Sequence, residues 1–292
     1  MLNYSIKARA LFVAVVLLCS NRVGAIGPTF APGDVFVSLE NGSVQWRSAD
    51  GMLNRIIVGT QLGTAEGMAF DGAGNLYVAS WCNDPCMSAN TVETFNTFGV
   101  PSGQFGAGYH CSPHAIVFDA LGAGYVGQAG CGGSILKFVE GQPPVAYPVA
   151  PENYGAFWID LAPDGCTMFY TSWGRSVKRY DVCADVQLSD FNVAPLSNDT
   201  HDLRVLPDGG VLVSSGELIA RLDAAGVVVQ TYAIPGESSA WVGLDLVGDG
   251  TFWVGNSETS NVYRFDLESG AVRQVFNTGT GTHSVIGVRV KK

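Results

Sequence analysis

The sequence predicts an all-β chain folded as a six-bladed β-propeller with four antiparallel strands per blade, and three observations carry that prediction. One segment recurs about every 45 residues: an apolar run, an acidic-glycine turn and a second apolar run. Most copies are followed by a third strand ending in a basic residue beside an aromatic or aliphatic one, and then by a more exposed fourth strand. An inner strand is missing where the repeats begin and surplus where they end. A fixed period in this range, with two strands around a tight turn in each copy, marks a propeller or solenoid. Radial closure is how such short sheets avoid exposed edges.

Asp34-Val-Phe-Val-Ser38 reads as a second strand with no inner strand before it. Complete units of inner strand, turn and second strand follow at Gly67–Val78, Ala115–Val126, Trp158–Tyr170, Leu203–Val213 and Val242–Val254. Third strands read Ile135–Phe138, Val177–Tyr180, Ile219–Leu222 and Val262–Phe265, and fourth strands read Val228–Tyr232 and Ala271–Val275. Second strands at Val35, Leu76, Gly124, Met168, Val211 and Phe252 make six blades. Thr282–Val290 has the pattern of an inner strand with nothing after it. It is therefore predicted to pair with Val35–Ser38, building one blade from both termini and latching the ring.

Composition agrees, with 37 glycines and only 14% charged residues, as many short strands joined by tight turns require. The repeat runs through the chain without a linker, so 26–292 is expected to be a single propeller domain. The first 25 residues read as a signal peptide: Lys7 and Arg9 form a basic start, Leu11–Leu18 a short apolar core, and Val23 and Ala25 the small residues of a cleavage site. That core is too short to span a bilayer, and Cys19 falls within the removed peptide. The expected location is secreted or periplasmic. Cleavage removes Lys7, Arg9 and Arg22 and no acid, which moves the formal charge from −10 to −13. So acidic a surface argues against nucleic acid or anionic membrane as partner. It favours a small neutral or cationic ligand; a protein partner is the alternative, and a monomer is expected.

Six cysteines remain after cleavage: Cys82, Cys86, Cys111, Cys131, Cys166 and Cys183. An even count in an exported chain reads first as disulfides. Cys166 sits in the turn between first and second strands, and Cys183 just after the third strand of the same blade. Both places lie on one face, so the two are predicted to meet. The other four fall in loops of the opposite face, where Cys82–Cys86 and Cys111–Cys131 is the simplest pairing and a soft-metal site is the alternative.

Candidate chemistry lies in the histidines. His110, His114, His201 and His283 all fall in or just before inner strands, and His114, His201 and His283 belong to alternate blades. These three are candidate metal ligands, because neutral imidazoles converging on the axis from three directions with a fourth position open would suit a divalent ion, zinc or calcium. The ordinary alternative is that each caps a loop or bonds backbone. Glu66 and Asp202 are placed on the same rim as candidate ligands, supporting partners or general bases. Trp81, Trp173 and Trp241 are placed near that face as candidate ligand-stacking residues, whereas Trp46, Trp158 and Trp253 are expected to pack between blades.

Gly67-Met-Ala-Phe-Asp-Gly-Ala-Gly-Asn-Leu-Tyr-Val78, Asp164-Gly-Cys-Thr-Met-Phe-Tyr-Thr-Ser172 and Val177-Lys-Arg-Tyr-Asp181 resemble NHL-type repeats and the senescence marker protein/gluconolactonase-like six-bladed propellers. The resemblance covers nearly the whole mature chain and implies the fold rather than a chemistry, since such blades serve lactonases, lyases, synthases and binding scaffolds. Asp202 matches the position of a metal ligand of that pattern and Glu66 its Glu-Gly opening. Phe157 stands where the pattern has an ion-binding Asn. Pro113-His-Ala-Ile116 and Thr200-His-Asp-Leu203 resemble the His-bearing strand starts of the peptidylglycine amidating lyase propeller, which implies zinc held by three histidines. Two functions follow as expectations: a metal-dependent lyase or lactonase-like hydrolase acting on a small molecule at the channel mouth, or a non-catalytic scaffold binding a ligand or protein there.

Overall fold

The computed structural model describes residues 27–60, 63–81, 90–130, 133–238 and 240–292. The predicted signal peptide and Cys82, Cys86 and Cys131 lie outside them. All regular structure in the described residues is β, in six four-stranded antiparallel sheets. The inner strands are Thr64–Phe70, Ser112–Phe118, Ile159–Leu161, Leu203–Val205, Trp241–Leu246 and Val285–Val290. Each contacts the next, and the last contacts the first, so the sheets form a closed ring around a central channel.

Local sequence explains the blades. Second strands such as Val35–Leu39, Gly124–Ala129 and Val211–Ser215 are buried along their whole length because a blade is covered on both faces by its neighbours. Outer strands such as Leu53–Val58 and Pro101–Phe105 are largely exposed. The acidic turns work through their carboxylates: Asp71 accepts the Ala73 and Asn75 amides at 3.0 and 2.8 Å, and Asp119 those of Leu121 and Ala123, both at 2.9 Å.

The ring closes as predicted. Val285–Val290 pairs antiparallel with Val35–Leu39, in register Val35↔Val290 through Ser38↔Gly287, with an irregularity before Leu39. Around the channel, inner strands approach one another closely at glycines. A Cβ on Gly243 would lie 2.3 Å from Gly287 Cα, and one on Gly287 would lie 3.0 Å from the Glu66 carbonyl oxygen. Three carboxylates then staple successive blades. Asp160 accepts the Val205 amide at 2.8 Å, Asp202 that of Leu244 at 2.9 Å, and Asp245 that of Val290 at 2.8 Å, each on the inner strand of the following blade.

Arg204 balances two of these acids, donating to Asp202 Oδ1 at 2.6 Å and to Asp245 Oδ1 at 2.8 Å. Arg289 and Lys292 approach Asp245 at 3.6 and 3.8 Å. Burial pushes the Asp202 carboxyl up to about 6 against the pull of Arg204. Burial opposes charge on Asp245 as well, but Arg289, Arg204 and Lys292 hold its carboxyl below the usual range. Contrary to its expected place on the rim, Asp202 is fully buried inside the channel wall, where it joins blades, and it does not line the cavity.

Cys166 and Cys183 are bonded, closing a loop with a sequence separation of 17 residues. Cys111 is also in a disulfide, and the cysteines left to pair with it lie outside the described residues. Removing the Cys166–Cys183 crosslink by double substitution to serine is expected to lower unfolding free energy by about 3 kcal/mol, the chain-entropy value for a loop of this length. Urea titration of the double variant against the parent measures this, and an unchanged midpoint would refute it. Among the described residues no helix is long and apolar enough to cross a membrane.

Candidate functional site at the channel mouth

Where the six inner strands begin, the channel opens into a cavity of about 400 Å³. Every blade contributes to its wall. Glu66, His114, Phe157, His201, Val242, Val285 and Ile286 come from the inner strands or the residues just before them, and Trp81, Gly130, Trp173 and Ser257 from the ends of second strands or just beyond. Five aromatic residues, Trp81, Tyr154, Phe157, Trp158 and Trp173, line it, and no Lys or Arg does among the described residues.

The aromatic wall is ordered by stacking. The His114 and Phe157 rings lie 3.8 Å apart at 25°, and Phe157 and Trp173 lie 5.5 Å apart at 14°. Tyr154 is tilted 50° against Trp173 at 5.0 Å, making a partly exposed corner at the entrance. The segment before Phe157 holds this corner. Tyr154 donates its amide to the Ser172 carbonyl at 3.0 Å, and the Asn153 side chain donates to the Trp173 carbonyl. The Glu152 carboxylate accepts the Ser176 amide and hydroxyl at 2.9 and 3.0 Å. Trp173 is thereby kept at φ 52°, a left-handed conformation costly for a bulky residue. His283, across the cavity, is likewise left-handed at φ 58°. Backbone strain of this kind persists where surrounding structure over-determines it, commonly around ligand sites.

Burial disfavours charge on three titratable groups of the wall. Burial pushes Glu66 up to about 8, with the charge of Glu40 adding to it. Burial presses His114 down to about 3, with His201 acting in the same direction. Burial also lowers His201 to about 4 against the pull of Asp199. Glu66 Oε2 lies 3.3 Å from His114 Nε2. Burial thus favours the uncharged form of both members of this pair, and His114 Nδ1 is a buried atom without a hydrogen-bond partner.

Several candidate residues reach the cavity: Glu66, His114, His201, His283, Trp81 and Trp173 all line it. Trp241 does not. Its indole is 1% exposed and packs on Tyr263 and Phe265 inside the blade, while the adjacent Val242 faces the cavity. Trp158 borders the cavity as well as the blade interior, and Tyr154 and Glu258 were not singled out by sequence reasoning. Tyr154 sits in the loop between Val145–Tyr147 and Ile159–Leu161, outside the repeated strands and turns, so no periodic signal marks it.

The three histidines do not gather into an ion site. Among the described residues, the one trio of potential ligands whose donor atoms all lie within 4.8 Å is Cys166, Asp181 and Cys183, and its two sulfurs are bonded to each other. His114 is covered by the Phe157 ring, which stands on the blade between those of His114 and His201. His283 Nδ1 is 3.3 Å from Glu258 Oε1 instead. These residues do not fit a zinc or calcium ion shared by three imidazoles.

No family model matches the chain, and no curated protein matches its sequence. Solved propeller structures do match. A structure of a nidogen/laminin complex aligns over 89% of this chain and 98% of its own at 12% identity, with TM-score 0.73. The virginiamycin B lyase of Staphylococcus aureus aligns over 74% of this chain and 70% of its own at 14% identity, with TM-score 0.57. A catalytically inactive form of that lyase, solved with quinupristin, aligns over 90% and 94% at 10% identity, with TM-score 0.62. At these identities the likeness shows the fold alone: the chain is a six-bladed β-propeller, an architecture shared by a lyase and by a protein solved in complex with another protein.

Proposed function

We propose that this is an exported propeller whose channel-mouth cavity binds an apolar small molecule carrying an aromatic group. The observation that supports the reading is the stacked wall of His114, Phe157 and Trp173 beside a cavity of about 400 Å³, a size suited to small-molecule ligands. Burial that disfavours charge on Glu66, His114 and His201 agrees, because an apolar ligand is then set against little unpaired charge.

Titration with the neutral fluorophore N-phenyl-1-naphthylamine tests it. Saturable enhancement is expected in the parent. Trp173→Gly, which accepts the left-handed backbone without strain, should weaken binding roughly 3–10-fold, the worth of one aromatic contact, with little change in melting temperature. Absence of saturable binding, or identical binding by the variant, would contradict the reading.

A second reading, a lyase or hydrolase, is favoured by Glu66. A carboxyl kept protonated beside an imidazole in a cavity is a group suited to general-acid catalysis. Turnover of a panel of lactones and cyclic esters that is lost in Glu66→Gln, with fluorophore binding kept, would move this reading ahead.

A further inference from the structure

The charge and aromatic character of the cavity narrow its ligand class. This inference rests on the cavity being the ligand site. Five aromatic rings line it without a Lys or Arg among the described residues. Tyr154 and Trp173, 49% and 38% exposed, meet at the entrance as an aromatic corner. Acids surround the cavity: Glu258 is 3.3 Å from the lining His283, the charge of Glu40 acts on Glu66, and that of Asp199 acts on His201. Glu66 itself is buried in the wall. Aromatic faces attract cations through their negative π-clouds, and enclosure by several rings is the usual way to recognise an ammonium carrying alkyl groups in place of protons. Such a cation has no N–H to satisfy, so an apolar wall costs it little.

We propose that the cavity binds an organic cation, an aromatic or aliphatic molecule bearing a quaternary ammonium group, held by the aromatic rings with Glu66 as its buried counter-charge. A cation in the cavity favours the ionised form of Glu66 over the neutral form that burial imposes. Facing Glu66 are His114 from the adjacent inner strand, Glu40 from the hairpin after Val35–Leu39, and His201 and His283 around the cavity. Burial holds His114 and His201 neutral, so neither competes for that role.

The test uses an isosteric pair on the whole protein: 3-hydroxyphenyltrimethylammonium and its uncharged counterpart 3-tert-butylphenol, titrated calorimetrically at pH 7. The cation is expected to bind at least about tenfold tighter, as expected of desolvated cation–π contacts. Glu66→Gln, isosteric with the protonated acid and so expected to fold, should reduce affinity for the cation by about tenfold while leaving that for the phenol within about threefold. Affinity for the cation should also rise between pH 6 and pH 8, as Glu66 gives up its proton more easily. Equal affinities for the two probes, or an equal effect of Glu66→Gln on both, overturn the inference. If neither probe binds while N-phenyl-1-naphthylamine saturates, the cation proposal fails and the apolar-ligand reading stands. If the fluorophore fails too, both fall.

Discussion

Deleting Ser284–Lys292 is expected to abolish cooperative unfolding altogether. The deletion removes the strand that pairs with Val35–Leu39 and takes away Val285, Val288 and Val290, each at most 1% exposed. Full burial of an aliphatic side chain contributes about 1.5–3 kcal/mol, so these three valines alone approach the roughly 5–15 kcal/mol that separates a typical folded domain from its unfolded chain. The same deletion strips Asp245 of the Val290 amide, Arg289 and Lys292. Near-ultraviolet circular dichroism and thermal melting of the truncated protein provide the check. A cooperative melt within a few degrees of the full-length protein would show that the latch is dispensable.

Replacing Arg204 with methionine should lower stability by about 3–5 kcal/mol, the usual result of removing one member of a buried charge cluster. Arg204 is 5% exposed and bonded to both Asp202 and Asp245, and burial alone would lower its pKa, but the neighbouring carboxylates hold it above the ordinary value. Asp245 keeps Arg289 and Lys292 in its absence, whereas Asp202 loses its cation. Adding Asp202→Asn to the variant should therefore recover part of the loss, since the amide oxygen can still accept from Leu244. Denaturant titration of the two single variants and the double variant gives the coupling directly. A loss under about 1 kcal/mol for Arg204→Met, or no recovery in the double variant, would show that the cluster does not hold the blades.

Much of the fold was legible because the signal repeats. Apolar runs around Asp-Gly turns recur often enough that no single ambiguous strand decides the outcome, and the surplus strand at Val285–Val290 has only one vacant partner. Cys166 and Cys183 were legible for a similar reason, since topology places both turns on one face. The site was legible only to the level of the rim. Strand side chains alternate between faces, so an error of one position moves a residue from the cavity to the interior. His201 lines the cavity while its neighbour Asp202 enters the channel wall, and Val242 lines it while Trp241 enters the blade. At Trp241 the ladder shifts register before Leu244, a displacement that composition and period do not encode. Phe157, an apolar residue where the resembling pattern has an ion-binding amide, was the visible departure from that pattern at the rim. Tyr154 gave no sign, because it comes from a connecting loop.

The latch also has a timing consequence. Val35–Leu39 is made before the other strands of the propeller, yet its inner-side partner begins at Val285, roughly 250 residues later, or about 12–50 s at ordinary translation rates. Throughout that interval one backbone edge of a strand that ends fully buried has nothing to pair with, and such an edge invites association with other nascent chains. The ring can form only after Val285–Val290 is free, so a cell making this protein has to keep the unfinished ring apart from its copies until that strand has emerged.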